Sequence, residues 1–239
     1  MSDYRRPRHR AVARVLEALS AAFLADNQCY FGGGTRLALE LDEYRESQDV
    51  DFLCADLAGY RAIRSGVGDR TLGKVAPRWP RGLSLLRDVR ADQYGIRTVI
   101  GVEGEPVKFE IILEARISLN PAGIRGVPVA ALDRVSCFAE KWLANADRWN
   151  DASVLSRDAI DLAFMLSRWN VTEAKSGAIL AEHAYGDAVR KAASSACLKL
   201  LRDAIYRKRC AHALAIVDAK PLSAGLKRLK KLTEDWPSH

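Results

Sequence analysis

The sequence predicts an α+β protein: an N-terminal half carrying a sheet, residues 1–130, then a helical half, residues 131–239. Two observations carry this prediction. Up to Leu119, short alternating apolar segments intermix with helical ones, whereas beyond Ala131 the apolar residues keep a helical period. The chain is also 239 residues long and 49% hydrophobic. A chain of that size buries roughly three quarters of its unfolded surface, in one large domain or two modest ones.

From His9 to Asp26 apolar residues recur at helical spacing, predicting one amphipathic helix. Residues 29–31 form a short strand that leads to Gly32, Gly33 and Gly34, and a helix follows from Thr35 to Leu41. Asp49 to Cys54 alternates as a half-buried strand does, and Leu57 to Ser65 reads as a helix. Gly66 to Gly82 reads as a loop. Strands are expected near Leu86–Arg90, at Gly95–Val102 and at Val107–Ile117, with Gly104, Glu105 and Pro106 as the turn between the last two, and one more near Val127. In the helical half the expected helices begin at Asp133 and then cover Ser156–Trp169, Thr172–His183, Asp187–Tyr206 and Leu222–Leu232.

No apolar run reaches the roughly 18 to 20 residues that span a bilayer, and MSDYRRPRHR precedes an amphipathic helix rather than a signal-peptide core. The expectation is a soluble, cytoplasmic protein with no membrane partner. Its five scattered cysteines lack metal-ligand or paired spacing and read as buried free thiols. A net charge of +7 and a pI near 9.3 favour a polyanionic partner such as nucleic acid. From Gly186 onward twelve Lys and Arg face five Asp and Glu, so the C-terminal helices are the expected basic surface.

Three glycines before a helix free backbone N–H groups to approach phosphate oxygens, and Thr35 adds a hydroxyl; a plain turn is the alternative. Asp49 and Asp51 project from one face of their strand, about 7 Å apart. Such a pair repels itself unless a counterion such as Mg²⁺ joins it; the alternative is a strand end facing water. A third carboxylate would complete a two-metal site, and Glu110 or Glu114, on the polar face of the strand VKFEIILE, can supply it. In the helical half Asp158 and Asp161 share a helix face, and Lys141 on the preceding helix is a natural cationic partner. That trio reads either as a buried ion pair joining two helices or as a phosphate-binding lysine oriented by an aspartate.

The ordered set GGGTRLALEL, RESQDVDFL, VKFEIIL, AEKWLA and RDAIDLAFM, from about Tyr30 to Met165, resembles the AbiEii/AbiGii family of nucleotidyltransferase toxins. The resemblance implies a polymerase-β-like nucleotidyltransferase core with a mixed or antiparallel sheet, followed by a helical C-terminal domain. It implies the toxin of a toxin–antitoxin pair, which transfers NMP from an NTP to an acceptor, with tRNA 3′ ends the substrate of related toxins. Carried over by motif, Gly33, Gly34 and Thr35 hold the triphosphate and Asp49 and Asp51 the Mg²⁺. Lys141 binds phosphate and Asp158 is the catalytic aspartate, with Arg157 and Asp161 beside it on the nucleotide. Two other readings keep the fold: transfer to a small molecule or a protein hydroxyl, and a non-catalytic module that binds RNA or an antitoxin.

Overall fold

The computed structural model of the chain describes residues 4–236. It divides into two compact units, Met1–Asp133 and Arg134–His239. No helix among the described residues is long and apolar enough to cross a membrane.

The first unit runs α1 (Pro7–Ala18), α2 (Ala21–Asp26), β1 (Cys29–Phe31), α3 (Gly33–Glu40), β2 (Val50–Cys54) and α4 (Leu57–Ser65). It continues with β3 (Leu83–Leu85), β4 (Arg90–Ala91), β5 (Gly95–Val102), β6 (Glu105–Leu113), β7 (Pro121–Ala122) and β8 (Ala131–Leu132). The strands form one mixed sheet in the order β3-β5-β6-β2-β1-β8-β7, with β4 paired to β5. Strands β2 and β6 are parallel, as are β1 and β8, and the remaining pairs are antiparallel.

Alternation along the central strands separates a dry face from a polar one. Phe31, Val50, Phe52, Phe109, Ile111, Ile96 and Ile100 are fully buried and share the core with Val12, Val15 and Leu16 of α1 and with Tyr60 and Ile63 of α4. At roughly 25 cal/mol per Å² of apolar surface, this face supplies the main drive for folding the unit. The opposite face carries Asp51, Glu110 and Arg97, none of them fully buried.

Several boundaries differ from expectation, each for a local reason. The first helix is two, because Leu19 is extended and the Ser20 side chain accepts a hydrogen bond from the Phe23 N–H, starting α2 afresh. Gly33 and Gly34 belong to α3, and only Gly32 precedes it, as its N-cap. The expected strand at 86–90 is replaced by β3 just before it and by β4, which begins at its last residue. The turn after β5 is the two residues Glu103 and Gly104, both with positive φ, as a tight hairpin requires, so β6 begins at Glu105 and ends at Leu113. The region of Val127 holds no strand; the pairing there is Pro121–Ala122 with Ala131–Leu132. All five cysteines are buried and free.

The second unit is helical: α5 (Arg134–Arg148), α6 (Arg157–Arg168), α7 (Val171–Tyr185), α8 (Ala188–Arg202), α9 (Ala204–Ala213) and α10 (Lys220–Glu234). The helix expected over 187–206 breaks at Asp203, whose carboxylate caps α9 by accepting from the Tyr206 N–H at 2.8 Å. Trp142 is fully buried, and its Nε1–H donates to the Ala174 carbonyl at 3.2 Å, tying α5 to α7. Leu222, Leu226 and Leu229 line the buried side of α10, which packs on α6.

Candidate active site

In the first unit the glycine motif and Asp51 are in contact. Gly33 has φ +69, and a Cβ built on it would lie 2.3 Å from Asp51 Oδ2. Only glycine satisfies both the backbone conformation and that approach. The Gly32 N–H donates to the Asp51 carbonyl at 2.8 Å, so β2 and the start of α3 are joined at this point. Gly32 is the N-cap of α3 and carries no side chain to satisfy the first-turn amides, which form the positive end of the helix.

Parallel pairing of β2 with β6 sets Asp51 directly opposite Glu110, and antiparallel pairing of β6 with β5 sets Glu110 opposite Arg97. One row across the polar face therefore reads Asp51, Glu110, Arg97. Arg97 Nε lies 3.5 Å from Glu110 Oε1, and its Nη1 lies 3.5 Å from Asp92. Asp49 stands one residue ahead of β2, half-buried. Glu114 lies past the end of β6, buried, with both carboxylate oxygens on Arg116 at 3.0 and 3.1 Å. Of the two glutamates the sequence offered, the sheet brings Glu110 to Asp51 and turns Glu114 to Arg116.

Asp49 and Asp51 offer hard oxygens of the kind Mg²⁺ takes, and Glu110 is in register but shared with Arg97. Among the described residues no set of three His, Cys, Asp or Glu side chains is arranged to hold a metal ion. The chemistry of Asp49 and Asp51 suits a hard cation; Glu110, to join them, would have to leave its arginine.

The connection from α3 to β2 is fixed by buried polar contacts. Thr35, fully buried, donates its hydroxyl to Ser47 Oγ at 2.7 Å. The Ser47 N–H donates to His9 Nε2 at 3.2 Å, and His9 Nδ1–H donates to Glu43 Oε1 at 2.8 Å. Burial lowers the His9 pKa despite the neighbouring Glu43, which suits a neutral ring that accepts at one nitrogen and donates at the other. Burial raises the Glu43 carboxyl, but the Arg6 and Arg5 amides, the Arg5 side chain and His9 outweigh it and hold the pKa at about 2. Arg45, almost wholly buried, brings Nη2 to 2.1 Å from where a Gly34 Cβ would stand. Arg45, Ser47, His9 and Arg97 were not singled out from the sequence. For Arg45 the available signal was a cation in the short link between the glycines and the aspartates.

In the second unit Lys141 Nζ lies 2.9 Å from Asp158 Oδ1 and 2.7 Å from Asp161 Oδ2. Arg148 binds Asp158 with two hydrogen bonds, at 2.7 and 3.0 Å. Asp158 is 2% exposed and Asp161 fully buried. Burial raises the Asp158 carboxyl, yet Lys141 and Arg148 more than reverse this and hold it well below the usual carboxylate range. The cluster is set by a sharp entry into α6, where Leu155 and Ser156 both take left-handed φ and Asp158 falls in the first turn. Arg157 is half-buried and has no ion-pair partner among the described residues.

A comparison with curated proteins finds no match. Among solved structures the chain is similar in fold to MenT4, a nucleotidyltransferase toxin from Mycobacterium tuberculosis, with 14% identity and a TM-score of 0.52 over 98% of this chain and 87% of that one. It is also similar to JHP933 from Helicobacter pylori, with 20% identity and a TM-score of 0.49 over 95% and 90%. The family model described as "Nucleotidyl transferase AbiEii toxin, Type IV TA system" matches residues 14–231, nearly the whole chain. With its mixed sheet, helical C-terminal unit and glycine–aspartate contact, the chain belongs to the AbiEii family of nucleotidyltransferase toxins.

Proposed function

We propose that the protein transfers a nucleoside monophosphate from an NTP to the 3′ end of an RNA, most naturally a tRNA, and that a cognate antitoxin neutralises it. The observation that carries this reading is Asp51, held against Gly33 at the start of α3 and in register with Glu110. The acceptor 3′-hydroxyl loses its proton to solvent as its oxygen bonds to the α-phosphorus, the bond from that phosphorus to the bridging oxygen breaks, and pyrophosphate leaves.

Asp49 and Asp51 would hold Mg²⁺, with Glu110 as third ligand once released from Arg97, and the bound cation would supply charge neutralisation at the reacting phosphate. The backbone amides of Gly33, Gly34 and Thr35 hold the triphosphate; the Thr35 hydroxyl is committed to Ser47, so its part is played by its N–H. In the helical unit Lys141 already faces two carboxylates, which favours it as the group that fixes Asp158. Arg157 is then the cation of that cluster left to meet phosphate, and Asp161 completes the support.

The test incubates purified protein with total tRNA, Mg²⁺ and each of four labelled NTPs in turn. Labelling with at least one NTP that disappears in Asp49→Ala and Asp51→Ala is expected. Absence of labelling with every NTP would overturn the reading in favour of binding alone, and label appearing on protein or small molecules would move the acceptor.

A further inference from the structure

The polar face of the sheet continues beyond Glu110 as a cleft of about 960 Å³ lined by β3, β4, β5 and β6. Arg70, Arg87, Arg90 and Lys108 line it alongside Asp69 and Asp88, and none of these four cations has an ion-pair partner among the described residues, so the cations outnumber the carboxylates. The glutamate on its floor, Glu110, is engaged by Arg97. Arg97 also lines a second cleft of about 750 Å³, where Arg61 and Arg64 of α4 are likewise without ion-pair partners. Two large apolar side chains stand open to solvent along this path: Leu86, 46% exposed, in the first cleft, and Tyr94, 67% exposed, in the second.

We propose that this face of β5 and β6 is the acceptor track, binding the phosphates of a single-stranded RNA segment that ends beside Asp51 and Glu110. The proposal rests on the RNA-transfer reading and deepens it. Unpaired cations spaced along a groove gain by displacing counterions from a polyanion, which a compact cationic acceptor would not permit. Exposed Tyr94 and Leu86 offer surfaces on which unstacked bases rest, and a duplex would keep those bases out of reach. The track starts at the candidate reaction centre, since Glu110 belongs to both. It therefore assigns acceptor binding to the sheet unit, where the charge count alone pointed to the C-terminal helices.

The experiment measures binding of a fluorescent single-stranded RNA oligonucleotide by anisotropy, across a salt series and without NTP. Replacing Arg87, Arg90 and Lys108 together by Gln should weaken binding by about tenfold or more and reduce the salt slope by about 2, since single strands release roughly 0.7 counterion per contact. Tyr94→Ala should weaken it by about tenfold with the slope unchanged. Lys227→Gln with Lys231→Gln on α10 should bind as the wild type does. Wild-type affinity and slope in the triple variant, with an unchanged circular dichroism spectrum, would overturn the proposal, as would preference for a duplex of the same sequence. Groove-dependent binding in a protein that labels no RNA would sink the transfer reading and leave the track standing.

Discussion

The two units hold their carboxylates at different depths. In the sheet unit Asp49 and Asp51 are half-buried, Asp51 sits where a helix begins, and Glu110 is one strand away. In the helical unit Asp158 and Asp161 are buried and already neutralised by Lys141 and Arg148. The same residue type is part-exposed in one place and is buried and tied down by cations in the other. Burying a carboxylate is tolerable only when a paired charge offsets its lost hydration, so the helical cluster cannot be opened cheaply. The sheet pair stays part-exposed, as the proposed exchange of water for a metal and a phosphate requires.

Substitutions can break that contrast. Asp51→Ala should lower nucleotide transfer by about a hundredfold or more while shifting the melting temperature by only a few degrees, a dissociation readable from labelling and calorimetry on one sample. Lys141→Ala should do the reverse in its primary effect: two buried carboxylates lose their shared cation, costing about 3 to 5 kcal/mol in urea unfolding. A Lys141→Ala protein as stable as the wild type would show that the cluster is not structural. Gly33→Ala puts a methyl group against Asp51 in a left-handed backbone; a stability loss of about 1 to 2 kcal/mol is expected, together with loss of transfer.

The smallest effect is on pH dependence. Glu43 titrates at about 2 in the folded protein against 4.5 unfolded, so its stabilisation is complete above pH 4.5 and lost as pH falls towards 2. His9 has a lowered pKa, so its contribution is complete above 6.5 and is lost at acid pH, before that of Glu43. Unfolding followed from pH 7 to 3 should show this early loss, and His9→Gln should remove it; an identical profile in the variant would mean His9 does not hold the Ser47 loop through its neutral form.

Much of the sheet unit was legible because strand periodicity is local. VDFLC and VKFEIIL announce which side chains share a face, and the glycines announce a helix start with open amides. Less legible were the interruptions at Ser20 and Asp203, because a polar side chain can cap a new helix only if the chain bends there, and packing decides the bend. Arg97 gave no signal at all; its importance comes from standing opposite Glu110, and Arg97 and Glu110 meet through a hairpin whose register is set by Glu103 and Gly104. The acidic trio had the same limit: Glu110 and Glu114 lie on one face of an ideal strand, and β6 ends between them.

What the sequence determined by itself was most of the order of elements, the short link between the glycines and the aspartates, and the shared helix face of Asp158 and Asp161, all set by spacing along the chain. The tertiary structure decided which carboxylate stands beside Asp51, that Thr35 spends its hydroxyl on Ser47, and that unpaired arginines gather along the sheet. Those are distances between segments far apart in the chain, and the register of neighbouring strands sets them; no residue's own propensity contains that information.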